Sequence, residues 1–599
     1  MSSAKTPLED LSVIVSGQGG DGSLTVVNIL ADVLRNNGLQ VYTERDVLSR
    51  IKGGITASSL RAYNGEKLTI SSHIDLLVAF DQLAVSKYAF RLNAKSVVVY
   101  DSSIGDLSAE ACGLADGTRM IGVPLSRHAV KNFRRDIYKN SISFAVIGRL
   151  VGIGDDALKV AFSKRFGPRG KQMLESNLLA LDIGFSLAEE AGLTIDESLY
   201  ELTELEGSNS KDESMLITGN EATALGFAVA GGKFFAGYPI TPSTEVMEWL
   251  IPWLPKFGGV VKQAEDELSA INMAIGAALT GTRTMTATCG PGIALMQEGI
   301  GQLGMGEIPL VIVDAQRSGP STGMPTKPEQ SDINLMVYGG AGDFPRVVLA
   351  PGHPEDCFHV AVKATNIAEK YQVPVFIALD QGLSQNTATV NRINLSEVEI
   401  DRGKRMTTES LASMEVYKRY EFTQDGVSPF APPGTPGGMS LVTGNEHDEF
   451  GLVSVDPTNR IKQVQKREKK LESMKPELPK AVTFGIETAD IGFIGVGMTY
   501  GVILEVMDIL AEKDIHSQYH QLRTICPMLD ETGSFTHRCK NVFILEYNAG
   551  AQLAKVVIAN GGNESNIHSI LRYDGVPMNS GDVVKQVMEH LGIKEEEVA

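Results

Sequence analysis

The segment LSVIVSGQGGDGSLTVVNILADVLRNNG, residues 11–38, combines an apolar run, a glycine-rich loop and a stretch with helical periodicity that stops at Gly38. Strand, tight turn and helix in this order form the repeating unit of α/β proteins. Two later parts of the chain show the same alternation of apolar runs and helical stretches. We therefore predict an α/β, multidomain protein, and no other feature limits the fold as strongly.

The predicted domains follow from where this alternation is interrupted. Residues 1–195 predict a doubly wound parallel sheet, and the acidic, polar residues 196–214 are typical of a linker. A second α/β unit is predicted at 215–385, an irregular connecting segment at 386–485 and a third α/β unit at 486–599. Within the irregular segment the charged run NRIKQVQKREKKLESMK predicts a solvated helix. Strand candidates of the second unit are FFAGY, TRTMTAT, PLVIVDA and VPVFIAL.

Charge and cysteine spacing exclude several functional classes. The net charge is −19 without a basic block, so we expect no nucleic-acid partner. We expect no membrane span and no signal peptide, and therefore a cytoplasmic protein. The five cysteines have no CxxC spacing, so we expect neither a metal site nor an iron–sulfur cluster on this chain.

The glycine-rich loop matches G-x-G-x-x-G between a strand and a helix, through Gly17, Gly19, Gly20 and Gly22. Glu44 stands near the spacing expected of a ribose-binding acid, which favours a dinucleotide. Asp21 lies inside the loop and disfavours a dinucleotide, because its carboxylate would face the pyrophosphate. Two alternatives remain. The loop is either a turn that needs glycine for packing, or a site for a phosphate-bearing ligand or docking partner. A second glycine feature, Lys52-Gly53-Gly54, would bring the Lys52 side chain close to such a site.

The stretch FFAGYPITPSTEVMEWL, residues 234–250, predicts a strand that leads into a helix. Thr241 is predicted as the N-cap and Pro242 as the first helical residue, with Val246, Leu250 and Trp253 on one side of the helix. Free N–H groups at a helix N-terminus beside the carboxyl end of a strand are suited to an anion, with the Thr241 hydroxyl as a further donor. The alternative is a well-capped helix that binds nothing.

The segment EDELSAINMAIGAALTG predicts a helix with an apolar stripe at Leu268, Ile271, Ile275 and Leu279. Glu267 lies four residues before Ile271 and is predicted to point towards the buried side. A buried carboxylate is costly unless hydrogen bonds or charges compensate it, which favours a functional acid. The alternative is a helix cap formed by Asp266 or Glu267.

Several longer motifs in a fixed order resemble the alpha subunit of 2-oxoacid:ferredoxin oxidoreductases. They are GYPITPSTE, EDELSAINMAIGA, TATCGPG, DAQRSGPSTGMPT, RYEFTQDGVSPFAPPGTPGG, TGNEHDEFG and EYNAGAQLA. The leading GQGGDG and KGG features resemble the gamma subunit, which is fused in front of alpha in some of these enzymes. The resemblance covers nearly all 599 residues. It implies a gamma domain, a thiamine-enzyme pyrimidine-type domain and a transketolase C-terminal-like domain for the three predicted α/β units.

The resemblance also implies roles for individual residues. Glu267 would hydrogen-bond the aminopyrimidine ring of thiamine diphosphate, and Thr241 with Arg317 would hold the substrate carboxylate. The arginine fork suits a carboxylate better than lysine does, although a surface salt bridge is the alternative for Arg317. Further residues implied to contact substrate or cofactor are Tyr238, Pro239, Ile240, Gly290, Pro291 and Gly292. The glycine loop with Lys52 would bind coenzyme A (CoA).

The resemblance implies a reversible reaction in which a 2-oxoacid and CoA give an acyl-CoA and CO2, with ferredoxin as the electron acceptor. The expected 2-oxoacid is 2-oxoglutarate. The sequence has one Gly-Asp-Gly, inside the N-terminal loop, and no asparagines at the distance that a diphosphate–Mg²⁺ site needs. We therefore expect a beta subunit that supplies the Mg²⁺ site and a [4Fe-4S] cluster, in an (αβ)2 heterotetramer. The alternatives are a pyruvate or broad-range enzyme, an NAD-dependent dehydrogenase and a non-catalytic docking subunit.

Overall fold

The computed structural model describes residues 6–19, 22–47, 54–65, 67–194, 198–201 and 213–593. The strands are β1 (Thr6–Pro7), β2 (Asp10–Gln18), β3 (Gln40–Asp46), β4 (Ile55–Tyr63), β5 (Leu76–Ala79), β6 (Val97–Asp101), β7 (Arg119–Val123), β8 (Tyr200–Glu201), β9 (Ser214–Thr218), β10 (Phe234–Gly237), β11 (Val260–Gln263), β12 (Thr284–Thr288), β13 (Leu310–Gln316), β14 (Val347–Leu349), β15 (Pro374–Asp380), β16 (Thr387–Asn391), β17 (Val482–Gly485), β18 (Ile491–Gly495), β19 (Ser517–Gln521), β20 (Thr524–Cys526), β21 (Asn541–Glu546) and β22 (Ile567–Leu571).

The α-helices are α1 (Ser23–Asn36), α2 (Gln82–Tyr88), α3 (Leu125–Phe133), α4 (Lys139–Val151), α5 (Asp155–Phe166), α6 (Lys171–Glu190), α7 (Gly219–Val229), α8 (Thr244–Trp253), α9 (Glu267–Leu279), α10 (Gly290–Gly306), α11 (Ile333–Tyr338), α12 (Pro354–Tyr371), α13 (Gln381–Gln385), α14 (Thr408–Ala412), α15 (Pro457–Met474), α16 (Thr499–Ala511), α17 (Asp530–Arg538), α18 (Gln552–Ala559) and α19 (Ser580–Leu591). The chain divides into two compact units. The first comprises Met1–Ile217 with Asn386–Arg392, and the second comprises Thr218–Gln385 with Ile393–Ala599.

The main sheet of the first unit has the strand order β7-β6-β5-β2-β4-β3-β16-β9. Strands β7, β6, β5 and β2 are parallel, whereas β4 lies antiparallel between β2 and β3. The predicted α/β class is confirmed, but the prediction of a wholly parallel sheet is wrong. Between Asp46 and Ile55 the chain is too short for the crossover of about a dozen residues that parallel neighbours need.

Strand β16 belongs to the first unit although it lies far along the chain. Ala388 pairs antiparallel with Tyr42 of β3. The Val41 N–H donates to the Thr389 hydroxyl at 3.0 Å, and the Asn386 amide donates to the Tyr42 hydroxyl at 2.9 Å. The three middle residues of β16, whose sequence is TATVN, are all buried, so both faces of this strand are covered. The chain therefore returns to the first unit for one strand before it continues.

The larger sheet of the second unit has the order β11-β10-β12-β13-β15-β14-β20. All neighbours are parallel except β14 and β20. The four strands predicted for this part are present as β10, β12, β13 and β15. Their apolar sequences are explained by burial on both faces, which is typical of parallel sheets. The loops after β10, β12 and β13 consequently leave the sheet at adjacent carboxyl ends.

A five-stranded sheet at the end of the chain has the order β17-β19-β18-β21-β22. Its strands are parallel apart from β17, which runs antiparallel to β19. The predicted apolar runs ADIGFIGVG and KNVFILEYNAG correspond to β18 and β21. Side chains from this part and from the larger sheet share one apolar core cluster within the second unit.

Helix α15 is present where the charged run predicts a helix, but the prediction that it is solvated is wrong. Lys470 is 0% exposed and Lys466 is 5% exposed. Their ammonium groups lie 2.5 and 2.6 Å from the carboxylate oxygens of the buried Glu307. The helix buries these lysines because a carboxylate distant in sequence, at the end of α10, compensates their charge.

Candidate active site

The carboxyl ends of β10, β12 and β13 bring the predicted site residues into one region of the second unit. Residues 238–243 follow β10, Cys289 follows β12, and Arg317 follows β13. Glu267 begins α9, shortly after β11, the edge neighbour of β10. This edge of a parallel α/β sheet is where such folds bind ligands. The sheet order therefore explains why four residues that are far apart in sequence lie in one region: Thr241, Glu267, Gly290 and Arg317.

The loop after β10 differs from the prediction. Helix α8 begins at Thr244 and is preceded by Ser243, so Thr241 is not its N-cap. The Ser243 hydroxyl and the Thr244 N–H both donate to the carbonyl of Ile240, at 2.9 and 3.2 Å, which adds a turn before the helix. Pro242 lies within this turn, after a cis peptide bond, and its carbonyl accepts from the Asn220 amide at 2.9 Å.

The apolar side of α8 also differs at its end. Val246 and Leu250 are buried as predicted, but Trp253 is 43% exposed. Leu254 lies four residues after Leu250 and is fully buried, so it takes the place predicted for the tryptophan. Tyr238, before the turn, is half-exposed.

Arg317 is brought directly against the loop of Thr241. Its Nη1 donates to the Thr241 carbonyl at 2.7 Å, and its Nη2 donates to the Thr322 carbonyl at 3.2 Å. The side chain is 6% exposed, and its Nε has no hydrogen-bond partner in the part of the chain that the structure describes. A guanidinium group has five N–H donors, so donors remain for an anion. The surface salt bridge considered for Arg317 is not observed among the described residues.

Glu267 is the first residue of α9 and is 5% exposed. The cap belongs to Asp266, whose carboxylate accepts from the Ser269 N–H at 2.6 Å. Of the alternatives from the sequence, capping therefore applies to Asp266 and not to Glu267. Within the described ranges no hydrogen bond to the Glu267 carboxylate is found. Leu268 is 48% exposed, contrary to the predicted stripe, because Glu267 and Ile271 occupy the inward side of the first turn.

Gly290, Pro291 and Gly292 form the first turn of α10, close to Glu267. A Cβ atom at Gly292 would lie 1.9 Å from Oγ1 of Thr288 and 2.8 Å from Cγ of Glu267. Such distances are not possible, so the approach of α10 to the carboxylate requires glycine. The turn and the acid are therefore packed against each other.

Two aspartates at this site were not predicted. A Cβ atom at Gly290 would lie 2.5 Å from Oδ1 of Asp332, so this carboxylate packs directly against the start of α10. Burial, with a smaller contribution from Glu329, raises the pKa of Asp332 to about 7. Burial also raises the pKa of Asp314, near the end of β13, well above its usual range. Asp314 could have been found from the sequence, because a carboxylate inside the apolar strand PLVIVDAQ indicates a functional group. The position of Asp332 depends on a loop that the sequence does not predict.

The glycine-rich loop belongs to the first unit. Gly22 precedes α1 with a φ of 85°, a left-handed conformation that favours glycine. The Gly19 N–H donates to the Gly54 carbonyl at 3.1 Å, so this donor is already used. Gly17 is the penultimate residue of β2, while Gly20, Asp21 and Lys52 lie outside the described residues. Strand β4 separates β2 from β3, so the strands flanking α1 are not the adjacent parallel pair of a dinucleotide-binding unit.

Comparisons with known proteins identify the family. The model "Pyruvate flavodoxin/ferredoxin oxidoreductase, thiamine diP-bdg" matches residues 226–466, and the model "Pyruvate ferredoxin/flavodoxin oxidoreductase" matches residues 12–187. The 2-oxoacid:ferredoxin oxidoreductase subunit alpha of Saccharolobus solfataricus is 30% identical over 636 aligned residues, which cover 96% of each chain. The chain belongs to the 2-oxoacid:ferredoxin oxidoreductase alpha-subunit family.

Two further relatives of this 2-oxoacid:ferredoxin oxidoreductase subunit are similar over different extents. The 2-oxoglutarate synthase subunit KorA of Methanocaldococcus jannaschii is 37% identical and aligns with 55% of this chain and 88% of its own. The solved structure of 2-oxoglutarate:ferredoxin oxidoreductase from Magnetococcus marinus, with 2-oxoglutarate, CoA and succinyl-CoA bound, superposes with a TM-score of 0.89. It is 33% identical and covers 97% of this chain and 100% of its own.

The predicted family, the enzyme class and the multidomain α/β fold of this oxidoreductase subunit are thus confirmed. The second unit carries most of the match to the family's thiamine-diphosphate-binding domain. Among the described residues, no helix is both long and apolar enough to cross a bilayer. In the same part of the chain, no group of three or more His, Cys, Asp or Glu side chains is arranged to hold a metal ion.

Proposed function

We propose that this subunit takes part in the reversible conversion of 2-oxoglutarate and CoA into succinyl-CoA and CO2, with electrons passed to ferredoxin. The observation that carries the proposal is Glu267, a residue that is only 5% exposed and whose carboxylate lacks a hydrogen-bond partner among the described residues. It lies beside a turn that only glycine permits. A buried acid is costly, so its presence without a protein partner favours a ligand partner.

The residues around Glu267 fit the ring end of thiamine diphosphate. This cofactor, when bound, supplies the carbanion chemistry needed to cleave a 2-oxoacid beside its carbonyl. Glu267 holds or releases a proton at a ring nitrogen, because a positioned buried carboxyl group is suited to that transfer. The first turn of α10, Gly290 to Gly292, can approach Glu267 closely because it has no side chain at Gly292. A side chain there would meet Thr288 and Glu267.

In this proposal the substrate carboxylate binds at Thr241 and Arg317, with Tyr238, Pro239 and Ile240 forming the wall of the same loop. Support comes from the contact between Arg317 and the Thr241 carbonyl and from the free Nε of the arginine within the described structure. The fixed guanidinium presents its remaining donors without first losing side-chain freedom. The Thr241 hydroxyl adds a neutral donor next to a charged one.

The remaining parts of the reaction are assigned to a beta subunit. The five cysteines are free and far apart in sequence, and the residues that the structure describes contain no three-ligand metal group. We therefore propose that the partner provides the diphosphate–Mg²⁺ site and a [4Fe-4S] cluster, in an (αβ)2 heterotetramer located in the cytoplasm. The exposed Leu268 and Met273 in the first half of α9 and Leu295 in the first half of α10 favour a covering subunit over these helices.

The glycine-rich loop is proposed to contribute to CoA binding through Gly17, Gly19, Gly20, Gly22 and Lys52. The use of the Gly19 N–H by Gly54 reduces the number of donors available. Charge reversal at Lys52 tests the idea: it should raise the KM for CoA, and an unchanged KM would remove this residue from the site.

2-Oxoglutarate is preferred over pyruvate because two of the relatives with the stated similarity are named for it. An NAD-dependent dehydrogenase is disfavoured, since β4 separates the strands that flank the glycine loop. The deciding experiment is to express the chain alone and with its partner, and to compare kcat/KM for 2-oxoglutarate and pyruvate. Bound thiamine diphosphate, iron–sulfur colour and acyl-CoA formation should require both subunits. Full activity of this chain alone would contradict the proposal, and a higher kcat/KM for pyruvate would change the substrate.

A further inference from the structure

Two aspartates behind the candidate site have carboxylate oxygens that nothing in the described structure pairs. Both oxygens of Asp314 and Oδ2 of Asp332 are enclosed and have no hydrogen-bond partner among those residues. Asp314 is 0% exposed, and its register partner on β12 is Thr288, whose hydroxyl is also unpaired there. An enclosed carboxylate without donors is stable only if it carries a proton or faces compensating charge. The pair therefore needs an explanation beyond packing.

Asp332 connects this pair to the proposed site through two contacts and one electrostatic effect. Its carboxylate packs against Gly290, at the start of the turn that lies on Glu267, where a Cβ atom would be 2.5 Å from Oδ1. The N–H of Asp332 donates to the side-chain oxygen of Gln316 at 3.1 Å. Gln316 directly precedes Arg317, so this bond holds Asp332 near the end of β13. The positive charge of Arg317 also acts on Asp332 and lowers its pKa, against the raising effects of burial and Glu329.

We infer that Asp332 is a positioning residue that sets the strength of the anion site: its carboxylate packs against Gly290 at the start of the α10 turn and its charge acts on Arg317, while Asp314 behind it carries a proton. The inference rests on the proposed function, because it concerns the substrate anion at Arg317. Besides these two aspartates, the charged or titratable groups that act in this cluster are Arg317, Glu329, Cys289 and Glu267. A proton on Asp332 leaves Arg317 fully available to the substrate, and loss of that proton introduces a competing negative charge.

The direction of the effect follows from the titration of Asp332, whose pKa is raised to about 7. As the pH rises through this value, the new negative charge weakens the attraction of Arg317 for the substrate carboxylate. In the co-expressed wild-type complex, the KM for the 2-oxoacid should therefore rise by about tenfold between about pH 6 and about pH 8.5, the size expected for one unit charge near a partly buried cation. Asp332→Asn should keep the low KM across this range, with a smaller change in kcat.

A second variant changes geometry without changing charge. Gly290→Ala places a Cβ atom 2.5 Å from Oδ1 of Asp332 and should displace that carboxylate, which also removes the pH dependence of KM. Asp380→Asn is the matched control. Asp380 is likewise buried, but its carboxylate accepts from Gln330, Leu383 and Met498, so its loss should lower stability and leave the KM profile unchanged.

Difference infrared spectroscopy gives a readout that does not need turnover. A protonated carboxyl band that titrates near neutral pH should be present in the wild-type complex and absent in Asp332→Asn. If the complex has no 2-oxoacid activity, the proposed function fails while this band still tests the pair. Absence of the band in the wild type, identical KM profiles for the wild type and Asp332→Asn, or the same change in Asp380→Asn, would each overturn the inference.

Discussion

Nη1 of Arg317 donates a hydrogen bond of 2.7 Å to the backbone carbonyl of Thr241. The bond joins the end of β13 to the loop after β10, so the arginine orients the loop from which the threonine hydroxyl projects. Because the contact uses the backbone, a substitution at Thr241 removes the hydroxyl and keeps the arginine in place. The two proposed anion ligands can therefore be separated by mutation.

Thr241→Val and Arg317→Met should both raise the KM for the 2-oxoacid, and the arginine variant should have the larger effect. Loss of a charge-assisted hydrogen bond costs about 1.5–3 kcal/mol, whereas a neutral one costs about 1 kcal/mol. Arg317→Met also frees the Thr241 loop, so its kcat should fall as well. Steady-state kinetics with 2-oxoglutarate and with pyruvate measure both constants. If neither variant alters the kinetics of either substrate, the carboxylate binds elsewhere.

Glu267→Gln should reduce kcat by about 10²–10⁴, the usual contribution of one positioned proton-transfer group, with a smaller change in substrate affinity. Glutamine has nearly the same size, so the α10 turn should remain in place. Glu265→Gln is the matched control, because Glu265 is exposed two residues earlier and should retain full activity. Turnover of Glu267→Gln within a few-fold of the wild type would remove this residue from the mechanism.

Gly292→Ala should abolish most of the activity, since its Cβ would overlap Oγ1 of Thr288 and press on Cγ of Glu267. The matched control is Gly301→Ala on the same helix, where a Cβ meets no atom within 4 Å. That substitution should keep activity and stabilise the protein by about 0.5–1 kcal/mol, because alanine favours the helix. Activity and melting temperature of the two complexes give the comparison. Equal activity of both variants would show that the turn does not need glycine.

Loss of one member of the buried ion cluster of Glu307, Lys466 and Lys470 should strongly destabilise the protein. Glu307→Gln leaves two enclosed ammonium groups without their carboxylate, and removal of one partner of a buried pair costs about 3–5 kcal/mol. Lys469→Met, next to Lys470 but exposed, should have almost no effect. Unfolding by denaturant, followed with both variants, measures the difference. Glu307→Gln with wild-type stability would contradict the compensation described for α15.

The pH dependence of this cluster has a defined sign. Burial lowers the pKa of Lys470 to about 8, although Glu307 acts to raise it. Between about pH 8 and the ordinary lysine pKa of about 10.4, the unfolded chain holds more protons than the folded chain, so this lysine makes stability rise with pH. Lys470→Met should remove that rise. An identical pH dependence of unfolding in the wild type and Lys470→Met would disprove the assignment.

Much of the second unit could be predicted from sequence because local patterns determine it. Apolar runs marked β10, β12, β13 and β15, and helical spacing indicated the inward direction of Glu267. Three features were missed, two of them because they depend on long-range pairing. Nothing in the sequence around Lys470 indicated Glu307 beside it, and nothing local indicated that Asp332 meets the Gly290 turn. The start of α8 shifted because the Ile240 carbonyl accepts two donors that a simple N-cap does not include.

The return of residues 386–392 to the first unit means that this unit is discontinuous in the gene. Its sheet places β16 between β3 and β9, and β16 is encoded after most of the thiamine-binding segment. A truncated chain that stops at residue 217 would therefore expose the edge of β3 and leave β9 without the strand beside it. Unpaired edges of this kind promote association between chains. Separation of the first unit consequently requires a replacement strand, by peptide complementation or by grafting, in addition to a cut after β9.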